Sequence, residues 1–155
     1  MITTAQGNIK RIVAARMSPG EDVLLGIEEI CKNYGIKDGV ILSGIGSLNG
    51  AQFFNPVPLK DKKAGYGYSE PIILRGAIEL INLSGMICHD DTGKTLLHVH
   101  YGLTDQYGNS HGGHVIEGNK VLMTVDVIIA EVDGIEMGRG YDEDLEVFVF
   151  APKQK

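Results

Sequence analysis

Four of the chain's five histidines fall in one short stretch, HVHYGLTDQYGNSHGGH, residues 98–114. Neutral imidazole is the commonest side-chain ligand for transition metals, and zinc accepts it at roughly 2.0–2.1 Å. The preceding segment KTLLHVHYGL alternates, so on a strand His98 and His100 project from one face and Leu97, Val99 and Tyr101 from the other. Two imidazoles at that spacing can converge on one ion. A catalytic zinc site needs a third protein ligand and one position left for water. His114 is the natural candidate and His111 its competitor. The same residues also suit a polar, glycine-rich hairpin that holds no ion, and spacing alone does not choose.

Hairpin geometry constrains the third ligand. With Gly108-Asn109 at the centre of a two-residue loop, His114 faces Leu103 and points away from His98 and His100. His111 then takes the correct face, but lies six residues along from His100, roughly 20 Å at the usual rise of a strand. A bulge or a longer loop restores His114. Gly112-Gly113 is a suitable place for a bulge, because glycine tolerates positive φ, so irregular backbone is expected there. His111 and His89 are read as ordinary hydrogen-bonded or surface residues.

The elements that must position these groups are mostly short strands. RIVAARM, residues 11–17, reads as the first. In SPGEDVLLGIEEICKNYG the period changes: Val23, Leu24, Ile27, Ile30, Cys31 and Tyr34 recur at three- and four-residue steps and share a helical face. Glu21 and Asp22 suit the positive end of its dipole and Gly35 its stop, which predicts one main helix over about 20–34. GVILSGIGSLNGAQFF reads as a strand, a tight Gly-Ser turn at SGIGS (residues 43–47), and a second strand. Residues 55–71 lack periodicity and carry proline, glycine and charge, the mark of an exposed loop. Extended segments follow at IILRGAIELINLSGMICH, KTLLHVHYGLTD, KVLMTVDVIIAEV and LEVFVFAP. One helix among about seven strands predicts a single α+β domain over 1–155, with a mixed or antiparallel curled sheet, closing into a barrel.

Composition narrows the function classes. Apolar residues make up 43% and charged residues 22%, the balance of a folded chain with a real core. No apolar run approaches the roughly 20 residues of a membrane span, and MITTAQGNIK has none of the features of a secretory signal, so a cytoplasmic protein without membrane partners is expected. Cys31 and Cys88 suggest buried apolar residues rather than a disulfide framework. The formal net charge of -6 argues against indiscriminate nucleic-acid binding. The densest basic groups, Lys10-Arg11 with Arg16 and Lys60 with Lys62-Lys63, read as solvated surface.

Taken in order, PGEDV, SGIGSLNGA, AIELINLSG, LHVHYGLTDQYGNSHGGHV and VDVIIAEV resemble the plants-and-prokaryotes-conserved (PPC) domain family over nearly the whole chain. The resemblance implies a compact α+β domain, assembly as a homotrimer, and zinc or a similar divalent metal held by histidines, with His98 and His100 from the H-x-H and His114 from GGH. Plant members bind A·T-rich DNA through a separate R-G-R-P hook. This chain has none, and its GRGY at residues 138–141 lacks the proline, sits among acidic residues and reads as a turn. DNA is therefore a doubtful partner.

Two functions follow. The first is metal-dependent chemistry of hydrolase or lyase type on an unidentified small molecule: three neutral histidines leave a divalent ion's charge uncompensated, which favours deprotonation of water near pH 7. Glu117 is the candidate base, with Glu79 as runner-up, and Arg16 the candidate anion clamp. The alternative is a non-catalytic binding or regulatory module, DNA-associated as in the plant AT-hook relatives, in which any metal is structural or incidental.

Overall fold

The structure is a computed structural model and describes residues 2–155. Strand β1 (Asn8–Met17) leads into helix α1 (Val23–Tyr34), and the long strands β2 (Gly39–Phe54), β5 (Ile72–His89), β6 (Thr95–Asp105) and β8 (Val121–Asp133) follow. Shorter strands complete the chain: β3 (Pro56–Pro58), β4 (Tyr66–Tyr68), β7 (Ser110–Val115), β9 (Ile135–Asp142) and β10 (Val147–Gln154). Six strands form one antiparallel sheet in the order β1-β8-β2-β5-β6-β7, and β7 returns to pair with β2. The expected α+β class and curled antiparallel sheet are present, with ten strands among the described residues in place of about seven.

The curl has a local cause. β8 pairs with β2 only as far as Leu48↔Val121, and β7 then joins β2 at Phe53↔Val115 and Phe54↔His114. In between, the buried side chain of Asn119 substitutes for a strand. Its Oδ1 accepts from the Gln52 N–H at 2.9 Å, and its Nδ2 donates to the carbonyls of Gln52 at 2.9 Å and Ile116 at 2.7 Å. The Tyr101 hydroxyl, 2.9 Å from the Gln52 carbonyl and 3.0 Å from Asn119 Oδ1, shares its proton between them. The enclosed core includes Ile41, Leu48, Ile78, Leu80, Leu83, Val99, Leu103 and Ile129, all fully buried, with Val23, Ile27 and Cys31 of α1 packed into it. Both cysteines are free and buried, and burial pushes their thiols up to about 11.

The helix starts later than its periodicity suggests. Asp22 lies outside it as an extended N-cap, accepting from the N–H groups of Leu24 and Leu25 at 3.0 and 3.3 Å, while Gly35 at φ 66° ends it as expected. SGIGS corrects a second expectation: it is part of the continuous strand β2, not a turn. A Cβ on Gly44 would sit 2.6 Å from Cβ of Leu83, and one on Gly46 would sit 2.7 Å from Cα of Val125. These glycines let neighbouring strands approach closely. Residues 55–71 are likewise not featureless, because β3 and β4 pair there. GRGY lies within β9, paired to β10 at Arg139↔Phe150.

Candidate metal centre

His98 and His100 alternate on β6 with Val99 and Tyr101, which are buried in the core, so the two imidazoles emerge on the opposite face. Across the hairpin, His100 stands directly opposite His114. The parity comes from the loop and not from a bulge. Gln106, Tyr107 and Gly108 form a three-residue connection, closed by Asp105 N–H to the Asn109 carbonyl at 3.1 Å and Gly108 N–H to the Asp105 carbonyl at 2.9 Å. One residue beyond a two-residue loop moves all of β7 onto the other face. The irregularity expected at Gly112-Gly113 is absent: the pairing runs unbroken from Thr104↔Ser110 to His100↔His114, and neither glycine has positive φ.

Asp105 holds this loop. Its carboxylate accepts from the N–H groups of Tyr107 and Asn109 and from the Asn109 side chain, each at 2.9 Å, and from His111 Nε2 at 3.2 Å. Chiefly through Asn109, these bonds keep its pKa well below the usual carboxylate range. His111 is thus engaged with Asp105, as its ordinary reading requires, and His89 lies 3.3 Å from Asp38. Gly108 has φ 82° with open space around the missing Cβ, so Gly108→Ala carries backbone strain alone. Chemical denaturation is expected to show a loss of about 1 kcal/mol.

Gly112 and Gly113 serve close packing. A Cβ on Gly113 would sit 2.6 Å from both the Phe54 carbonyl oxygen and the Phe53 ring, where β7 lies against β2. Gly113→Ala is expected to part these strands, cost about 1–3 kcal/mol in denaturation experiments, and loosen metal binding by displacing its neighbour His114.

The ring centroids of His98, His100 and His114 form a near-equilateral triangle with sides of 5.1, 5.2 and 5.3 Å. One ring nitrogen from each lies within 4.8 Å of the others, and the Nε2 atoms of His98 and His100 are 3.1 Å apart. Tetrahedral zinc with bonds of about 2.0–2.1 Å places its ligand nitrogens roughly 3.3 Å apart, so this pair is already at chelating separation. His114 Nδ1 is buried and has no hydrogen-bond partner. Burial, with the neighbouring imidazoles and Arg139, pushes the His114 pKa down to about 4 and lowers that of His98. Both therefore stay neutral near pH 7, the form that ligates metal. The donor set, the spacing and the unpartnered nitrogen fit a divalent ion. Among the described residues, no cysteine or carboxylate joins this cluster.

The other candidates lie elsewhere. Arg16, on β1, bonds Asp126 at 2.8 Å on the far side of the sheet order, and Glu117 follows β7, where its carbonyl accepts from Gln52. Neither lines the cavity beside the histidines, and nor does Glu79 of β5. That cavity, of about 680 Å³, is walled by His100 and His114, by Phe54 at the end of β2, by Leu59, Lys62, Tyr66 and Tyr68 of the β3–β4 hairpin, and by Leu145 and Val147. The tyrosines were missed, and Lys62 was read as plain solvated surface, because residues 55–71 look like a loop. The alternation in YGY, which sets both rings on one face, was the available signal. Arg139 was missed for a similar reason: its Nη2 donates to the Phe148 carbonyl at 2.6 Å, its Nε is buried without a partner, and its charge opposes protonation of His98 and His114.

Comparison with known proteins gives a consistent picture. Residues 4–133 match the Plants and Prokaryotes Conserved (PCC) domain. A metal-containing protein from Archaeoglobus fulgidus superposes with a TM-score of 0.81 at 25% identity, over 96% of this chain and 99% of that one. A plant- and prokaryote-conserved protein from Pyrococcus horikoshii does so with a TM-score of 0.78 at 28% identity, over 96% and 97%. Among curated sequences, the bifunctional protein GlmU of a Synechococcus strain is 28% identical over 78% of this chain, which spans only 17% of that protein's length.

Proposed function

Because this chain belongs to the Plants and Prokaryotes Conserved domain family, we propose that it is a metal-binding domain whose His98, His100 and His114 hold one zinc or similar divalent ion and serve hydrolase- or lyase-type chemistry on a small molecule. The observation that carries this reading is a three-imidazole cluster that opens through His100 and His114 on a cavity, with no fourth ligand among the described residues. Structural zinc sites close their coordination with protein ligands, and catalytic ones leave a position free. When bound, such an ion supplies Lewis acidity toward a carbonyl or carboxyl oxygen. The chain's own contribution is to keep His98 and His114 neutral through burial, to orient His100 and His114 by strand pairing, and to limit water with the β3–β4 and β9–β10 hairpins.

Self-association as a homotrimer is part of the same proposal. Ile12, Leu42, Ile45, Ile81 and Met123 are each half or more exposed on the strands of the large sheet, apolar surface that suits burial between copies. The DNA-associated alternative is disfavoured by charge. The net charge is -6, and Lys10 and Arg11 pair with Glu131, Arg16 with Asp126, Lys120 with Asp22 and Lys153 with Glu136, so these cations are already neutralised by neighbouring carboxylates. The deciding experiment is metal content per chain of untagged protein, for the native sequence and for His98→Ala with His114→Ala. About one ion per chain, lost in the double variant, is the expected result. Absence of metal after incubation with zinc would sink the reading.

A further inference from the structure

Resting on the reading of the triad as a metal centre, we infer that the adjoining cavity takes a small organic anion with a flat apolar body, of the aryl-carboxylate class. Three features of the cavity carry this.

The first is its walls. Phe54, Tyr68 and His114 form a row of rings, with Phe54 and Tyr68 centroids 6.0 Å apart and tilted by 32°, and Tyr68 and His114 centroids 5.1 Å apart and tilted by 40°. Leu59, Tyr66, Leu145 and Val147 extend this surface. A stacked ring or alkyl chain is what such walls recognise. A sugar or a bare phosphate would leave its hydroxyls or oxygens against apolar carbon.

The second is the rim. Tyr66 is 63% exposed, Tyr68 48%, Leu145 46% and Val147 40%. Four apolar or aromatic side chains gathered around one opening, beside metal-ligating histidines, are a contiguous patch of the kind that marks a ligand site.

The third is charge. Among the described residues, Lys62 is the one charged side chain lining the cavity, and no aspartate or glutamate lines it. Neutral imidazoles cancel none of a divalent ion's charge. An uncharged ligand would leave this excess uncompensated, whereas a carboxylate directed at the triad and at Lys62 neutralises part of it. The apolar walls then accept the remainder of the molecule.

The test uses the cobalt-substituted protein, whose visible absorption reports both metal binding and ligand arrival. It is titrated with 3-phenylpropanoate, acetate and 3-phenylpropan-1-ol. Phenylpropanoate is expected to bind roughly tenfold or more tightly than acetate, because only it fills the aromatic wall, and more tightly than the alcohol, which lacks the charge. Tyr68→Ala should remove most of the advantage over acetate, and Lys62→Gln should weaken both acids but not the alcohol. Both positions are partly exposed, and an unchanged cobalt spectrum in each variant shows that the triad still forms. Equal affinity for phenylpropanoate and acetate would overturn the inference and leave the metal centre standing. Absence of a cobalt spectrum in the native protein would overturn both.

Discussion

His100→Ala is expected to lower zinc affinity by more than about 100-fold, above the 10–100-fold that loss of a mere supporting residue costs at metal sites. The size of the effect follows from position. His100 is the common neighbour of the other two imidazoles: its Nε2 is 3.1 Å from that of His98, and it stands directly across the strand pair from His114. Its removal leaves two donors on different strands. Because His100 is exposed, the fold is expected to survive. Competition titration against a chromophoric chelator measures the affinity, and circular dichroism with a melting curve checks that the protein is intact. His111→Ala is the control: it is engaged with Asp105 and is not part of the cluster, so its zinc affinity should stay within a fewfold of native. Equal losses in the two variants would show that the triad does not hold the metal.

Asn119→Ala is expected to cost about 3 kcal/mol or more in guanidinium denaturation, the largest single loss of stability predicted for this fold. The side chain is fully buried and meets three backbone groups and the Tyr101 hydroxyl. Alanine leaves the Gln52 N–H and the Ile116 carbonyl without partners in the interior, at about 1–3 kcal/mol each, and leaves a void beside Tyr101. The damage falls where the edge of β2 passes from β8 to β7, so the pairing of Phe54 with His114 loosens and metal affinity falls with stability. Asn119→Asp is expected to do no better, since it keeps the acceptor, loses both donors and buries a charge. A loss below 1 kcal/mol would mean that the edge is held by other bonds.

Much of the candidate centre was legible because it depends on local periodicity. Alternation places His98 and His100 together wherever that strand runs, and imidazole chemistry identifies their use. The third histidine was not legible from its own residues. Whether His114 joins them depends on whether the loop has two residues or three, a choice set by the bonds Asp105 makes to Tyr107, Asn109 and His111 and by the positive φ of Gly108. Glycine misled twice for one reason. At 43–47 and at 112–113 it is compatible with a turn, a bulge or a close approach of strands, and only Leu83, Val125, Phe53 and Phe54 decide for the last.

By itself, then, the sequence determined the single helix, the strands β5, β6 and β8, the acidic character and the face that His98 and His100 share. Each is a matter of residue type and spacing within one element. Tertiary structure decided the hairpin parity, the closure of β7 onto β2 through Asn119, and the wall that Tyr66 and Tyr68 of β3–β4 and Leu145 and Val147 of β9–β10 raise beside the histidines. These depend on contacts between residues distant in the chain, which no local pattern encodes.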